Sequence, residues 1–200
     1  IMINYPFPIP IILEDNTEFV DDLRSYILSV DKTGIFSGVS PTVKHNLSES
    51  EFDFFESEEP CVVELKNWIA NKLGETINTL NGTKNNLDIW FKDSWYHVTK
   101  KNGVHDYHIH PNCSWCGIYY LDDVDKNLGG GTRFFCPFEY GYVDDGNRLI
   151  VDTAFTVTPK KGLLCLFPSF LAHTQQLYTG NDDRIVVAFN SCINEVAYLS

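Results

Sequence analysis

The sequence predicts an α+β domain, mainly β, in which two early helices back a jelly roll of short strands. Three observations lead there. Apolar residues recur at helical spacing within residues 15–31 and 60–81. From Leu87 the texture changes to short aromatic and β-branched runs. Turn chemistry separates those runs, at Gly129-Gly130-Gly131, Asp144-Asp145-Gly146-Asn147, Pro159-Lys160-Lys161-Gly162 and Thr179-Gly180-Asn181-Asp182. Helices followed by strands place the helices on one side of a sheet. Many short, evenly spaced strands point to a sandwich or jelly roll. The 200 residues read as one domain, with 1–86 as helical support and 87–192 as the strand-rich core.

Residues 1–13 carry Pro6, Pro8 and Pro10, which cannot donate in a central strand, so this stretch predicts an extended edge segment. Asp15 with Glu18 has the spacing of a capping box. Phe19, Val20, Leu23, Tyr26, Ile27 and Val30 then mark one face of a helix ending near Asp31. Residues 33–57, rich in Gly, Ser, Thr and acids, predict loop with a short helical turn. A second helix follows Pro60, a residue suited to a first turn. Its stripe is Val62, Leu65, Ile69, Leu73, Ile77 and Leu80, and Asn81-Gly82 ends it. Strands are expected over Asp88–Val98, Gly117–Leu121, Thr132–Cys136, Leu149–Val157, Leu163–Phe167 and Ile185–Asn190. Lys100-Lys101-Asn102-Gly103 reads as a turn after the first of them.

The net charge of −12 argues against a nucleic-acid surface, which needs clustered Lys and Arg. No stretch has the apolar length of a membrane helix. The N-terminus lacks a basic region ahead of its apolar residues, so it predicts no signal peptide and a cytoplasmic protein. The six cysteines are scattered among apolar neighbours and read as buried free thiols. Cys113 and Cys116 would point to opposite faces of an extended segment, which sets them to packing and not to a shared metal.

The chemistry centres on Tyr107–Leu121. His108 and His110 lie two residues apart, so in an extended segment both imidazoles project from one face and can grip one metal ion. Iron(II), manganese and zinc all accept neutral imidazole. A third imidazole is offered by His173, after the apolar run Leu163–Phe167 and the Pro168 corner. Arg184 heads a face that continues with Val186, Ala188 and Asn190. A guanidinium so placed is partly buried and needs an anion, a carboxylate or an acidic side chain.

Taken in order, His108-Ile-His110-Pro111, Gly117-Ile-Tyr-Tyr120-Leu-Asp122, Gly130-Gly131-Thr132-x-Phe134, Pro159-x-x-Gly162, Phe167-Pro168-Ser169, His173, Arg184 and Phe189-Asn190 resemble the iron(II)/2-oxoglutarate-dependent oxygenases. The series is similar to a bacterial and phage group of that family and, more distantly, to prolyl hydroxylases. The resemblance spans roughly residues 90–192. It implies a double-stranded β-helix, a cupin-like jelly roll, with Fe(II) at one end. It implies His108, His110 and His173 as metal ligands, and Arg184 with Tyr120 as the holders of the distal carboxylate of 2-oxoglutarate. It also implies hydroxylation of a C–H bond in a small-molecule or peptide substrate, with release of succinate and CO2.

One departure stands out, since the family's usual second ligand is an acid and here it is His110. Aligning His110 first would put Asn112 at the acidic position. The His108–His110 pairing uses both imidazoles on one face. Three-histidine sites also resemble cupin-type dioxygenases that use no 2-oxoglutarate, and a non-catalytic binding module is the third alternative. Specificity is expected in loops at 33–57, 99–107 and 137–148.

Overall fold

The structure, a computed structural model, describes residues 8–31, 43–137 and 154–195. Two helices form where the 3.6-residue periodicity predicts them, α1 at Val20–Val30 and α2 at Pro60–Asn81. Pro60 occupies the first turn of α2, and Gly82 closes it with φ of 63°, a left-handed conformation that suits glycine. The capping box does not form. Asp15 ends a strand, α1 has no side-chain cap, and Asn16 Oδ1 instead accepts from the Glu18 amide at 2.9 Å.

Nine strands are found among the described residues: β1 Ile12–Asp15, β2 Lys44–Glu49, β3 Leu87–His108, β4 Trp115–Tyr120, β5 Thr132–Phe135, β6 Ala154–Val157, β7 Leu163–Pro168, β8 His173–Tyr178 and β9 Arg184–Glu195. They form one curled antiparallel sheet in the order β1-β7-β4-β9-β3-β8-β5-β6, with β2 on β3. This is the expected double-stranded β-helix. Of the expected edge segment 1–13, residues 1–7 lie outside the described residues, 8–11 form no strand, and Ile12 and Leu13 enter β1, which pairs with β7 at the sheet edge. Residues 149–153 of the expected Leu149–Val157 strand lie outside the described residues.

Two expectations fail on β3. Residues 44–49, expected as loop, form β2; the run Lys-His-Asn-Leu-Ser-Glu has no apolar alternation to betray it, because its buried end packs polar groups. Residues 99–107, expected as a turn and a specificity loop, continue β3. The turn signal becomes a bulge. Between the pairs His45↔Val104 and Leu47↔Thr99 the register shifts, and Asn102 takes a φ of 63°. Gly103 is required there, since a Cβ would lie 2.3 Å from Thr99 Cγ2 and 2.8 Å from the Asn46 carbonyl.

Period-2 alternation divides the apolar residues between two cores. Tyr119 of β4, Leu164 and Leu166 of β7, and Ile185, Val187 and Phe189 of β9 face the helices, packing with Leu23, Ile27, Leu65, Ile69 and Leu73. The alternate residues Tyr120, Cys165, Phe167 and Val186 point inside the roll with Phe134 and Val157. Each fully buried leucine contributes about 1.5–3 kcal/mol. The helices thus stiffen one wall, and the concave face is left for chemistry. Gly117 marks the seam, because the Phe189 ring fills the place of its side chain, 2.2 Å from where a Cβ would sit.

Candidate metal centre and anion pocket

β3 ends at His108, and His110 follows where the chain leaves the sheet, its amide donating to the Ser169 carbonyl at 3.2 Å. The intervening Ile109 is 53% exposed, so the two histidines share the inward side as the i, i+2 spacing predicts. His173 opens β8, directly across the ladder from His108. It lies beyond the Pro168 corner, as expected, and opens a strand that was not expected because its polar residues show no apolar alternation. The three imidazoles converge, with one ligand atom from each within 4.8 Å of the others.

Backbone carbonyls set two of these rings. His108 Nδ1 lies 2.7 Å from the Asp106 carbonyl, and His173 Nδ1 lies 3.0 Å from the Leu171 carbonyl. A carbonyl only accepts, so both Nδ1 atoms carry the proton and both Nε2 lone pairs are left for a metal. Burial presses all three histidines below the usual imidazole range, His108 to about 4 and His110 to about 3. Neutral imidazole is the form that ligates. The donor set, three neutral nitrogens at one rim of a barrel, fits a first-row divalent ion. Asn112 lies instead in a turn with φ of 60° and does not line the cavity.

The same cavity runs on to Arg184, first residue of β9 and 2% exposed. Its Nη1 donates to Gln175 Oε1 at 2.9 Å, while its Nε has no hydrogen-bond partner among the described residues. Among the described residues no carboxylate pairs with it, so the ion-pair alternative finds no partner there. A buried cation with an open donor calls for an anionic ligand. Tyr120 is fully buried, and the Arg184 guanidinium carbon lies 5.7 Å from its ring centroid. Its hydroxyl donates to Thr132 Oγ1 at 2.7 Å, and it is Thr132 that lines the cavity.

Sequence reasoning missed several residues here. His97 and His105 line the cavity, and His105 stacks on His108 with centroids 4.0 Å apart. His97 Nε2 pairs with Glu49 Oε1 at 2.7 Å, and Lys44 of β2 bonds the same carboxylate oxygen. Burial alone would raise the Glu49 pKa. The hydrogen bonds and charges of His97 and Lys44 outweigh it and hold the carboxyl below its ordinary range. The only sequence signal was the period-2 face Trp95, His97, Thr99. Gln175 carried none, and Thr132 stood out only as part of the Gly130-Gly131-Thr132-x-Phe134 element, with no role of its own.

The cysteine pair departs from expectation. Residues 111–114 turn instead of extending, so Cys113 Sγ lies 3.8 Å from Cys116 Sγ, with Cys116 on the cavity wall. No disulfide forms among the described residues; Cys116 and Cys165 are buried and the other four cysteines half-buried.

Residues 93–190 match the family model described as "Putative 2OG-Fe(II) oxygenase". No curated protein matches the chain. Among solved structures, a Pseudomonas putida prolyl-4-hydroxylase is similar over 94% of each chain, at 13% identity and a TM-score of 0.60. HygX from Streptomyces hygroscopicus, solved with nickel and 2-oxoglutarate bound, is similar over 92% of this chain and 83% of its own, at 13% identity and a TM-score of 0.60. A Trichoplax adhaerens prolyl hydroxylase solved with a hypoxia-inducible-factor peptide fragment follows, over 91% and 83%, at 15% identity and a TM-score of 0.59. At these identities the likeness is one of fold.

Proposed function

We propose, for a chain that belongs to the 2OG-Fe(II) oxygenase family, that it hydroxylates a C–H bond of an amino-acid, peptide or other small-molecule substrate, with 2-oxoglutarate converted to succinate and CO2. One oxygenase domain, residues 1–200, carries this activity in our reading. His108, His110 and His173 hold Fe(II), and Arg184 holds the distal carboxylate of 2-oxoglutarate. Tyr120 supports that carboxylate through Thr132: it donates to the threonine oxygen, which frees the threonine hydrogen to donate onward.

The observation that supports this most is the pairing, in one cavity, of three converging imidazoles with a buried arginine that has no anionic partner among the described residues. Iron(II), when bound, supplies the activation of oxygen. The chain's own part is positional. Asp106 and Leu171 carbonyls hold the Nε2 atoms toward the metal position, and Arg184 orients a carboxylate at the far end. Phe134, Phe167 and Trp95 keep the surroundings apolar.

The three-histidine set also favours a second reading, a dioxygenase that needs no 2-oxoglutarate and uses Arg184 on a substrate carboxylate. Incubation with Fe(II), 2-oxoglutarate, O2 and a panel of amino acids and peptides separates the two. Succinate formed in step with oxygen uptake is expected; substrate oxidation without 2-oxoglutarate would favour the second reading.

A further inference from the structure

We propose that Gln175 is a second donor to the distal carboxylate and makes the pocket select a dicarboxylate over a 2-oxo monoacid; this rests on the 2-oxoglutarate reading above. Gln175 and His173 are i and i+2 on β8, so they share its inward face, one strand step apart along the cavity wall. The Gln175 side chain is buried, the residue being 7% exposed. Its Oε1 accepts from Arg184 Nη1 at 2.9 Å and from Thr99 Oγ1 at 3.2 Å.

Those two bonds decide which way the amide faces. Reversed, it would set its own NH2 against the guanidinium and lose the bond Arg184 makes to it. The oxygen end therefore belongs to Arg184 and Thr99, and the nitrogen end carries two hydrogens with no partner among the described residues. A buried donor left unmade is costly, and such groups mark a missing ligand.

The groups around it agree on what is missing. Arg184 has an Nε with no partner among the described residues. Thr132, opposite Gln175 in the β5–β8 ladder, already accepts from Tyr120 and has a hydrogen to give. This end of the cavity is therefore rich in donors, one of them cationic. A carboxylate can accept from all of them at once. The alkyl end of a 2-oxo monoacid can accept from none. Glutamine adds a donor without placing a second positive charge beside Arg184, which a lysine would do.

The test uses the full chain loaded with Mn(II), which occupies the histidines without turnover. Titration calorimetry compares 2-oxoglutarate with 2-oxobutyrate, which keeps the metal-chelating end and lacks the distal carboxylate. Gln175→Glu preserves the shape and both accepted bonds, and exchanges the NH2 for an anionic oxygen. It should weaken 2-oxoglutarate by more than about 100-fold while 2-oxobutyrate and Mn(II) affinities move by less than about threefold. Thr99→Val, which unlocks the amide without touching the ligand, should weaken 2-oxoglutarate by roughly threefold to tenfold, and it carries the comparison if Gln175→Glu does not fold. Equal losses for both acids would reduce Gln175 to a packing role and overturn the proposal. Should Arg184→Ala lose 2-oxoglutarate while Gln175→Glu and Thr99→Val keep it, the Gln175 assignment fails alone. A wild-type protein that ignores 2-oxoglutarate sinks both the assignment and the co-substrate reading.

Discussion

The two ends of the cavity are built on opposite principles. At the histidine end, two of the three residues are neighbours on one strand tail, and backbone carbonyls orient the His108 and His173 rings. At the arginine end, Thr99, Thr132, Gln175 and Arg184 come from β3, β5, β8 and β9, and side chains orient one another. The first end is local and rests on the backbone. The second is a tertiary product and depends on every strand keeping its register. The histidine end should therefore fail abruptly when a ligand is lost, and the arginine end in graded steps.

The largest expected effect lies at the histidine end. His173→Ala or His108→Ala should lower metal affinity by more than about 100-fold, beyond the loss seen when only a supporting group is removed. Metal content after dialysis, read by atomic emission, checks it. Should Asn112→Ala strip the metal while His108→Ala keeps it, the three-histidine assignment is wrong. His110→Asp sharpens the point, because the restored carboxylate should retain iron if residue 110 faces the ion.

Next in size is Arg184→Ala, which should cost about 2–5 kcal/mol of 2-oxoglutarate binding while metal content stays near wild type, by analogy with truncated buried charge pairs. Equal titrations in mutant and wild type would give the arginine another job.

The histidine end should also respond to acid. His108 and His110 are held to about 4 and about 3 in the fold, chiefly by burial, against about 6.5 in an unfolded chain. Between those values the unfolded state binds more protons. Stability of the metal-free protein is therefore fully present above about pH 6.5 and declines as the pH falls toward 4. Melting temperatures from pH 7 to 4.5 should drop, and His110→Gln should flatten the slope. A wild-type slope that matches the mutant's would mean the imidazoles are solvated.

The smallest effect belongs to Tyr120→Phe. It removes one hydrogen bond to Thr132 and keeps the ring beside Arg184, so 2-oxoglutarate binding should weaken by about 0.5–1.5 kcal/mol. A loss as large as that of Arg184→Ala would show that Tyr120 touches the carboxylate directly.

The sequence by itself determined what depends on short-range periodicity. The 3.6-residue stripes of α1 and α2 were legible, as were the strand runs after Leu87, because burial on one face forces a repeat. The i, i+2 histidines were legible for the same reason. So was Arg184, since a charge at the head of an apolar face needs an explanation. Tertiary structure alone decided the rest. β2 could not be read because Lys44 and Glu49 are buried as a pair, and polar groups that satisfy each other leave no apolar signature. The turn at Lys100–Gly103 became a bulge because β2, β8 and β9 hold β3 from both sides, outweighing its local turn preference. Cys113 met Cys116 because the chain turns at Asn112, against an extended reading. Gln175 and Thr132 gained meaning only when strands distant in sequence set them against Arg184. A hydrogen-bond partner is a matter of position in space, and no residue carries that in its own chemistry.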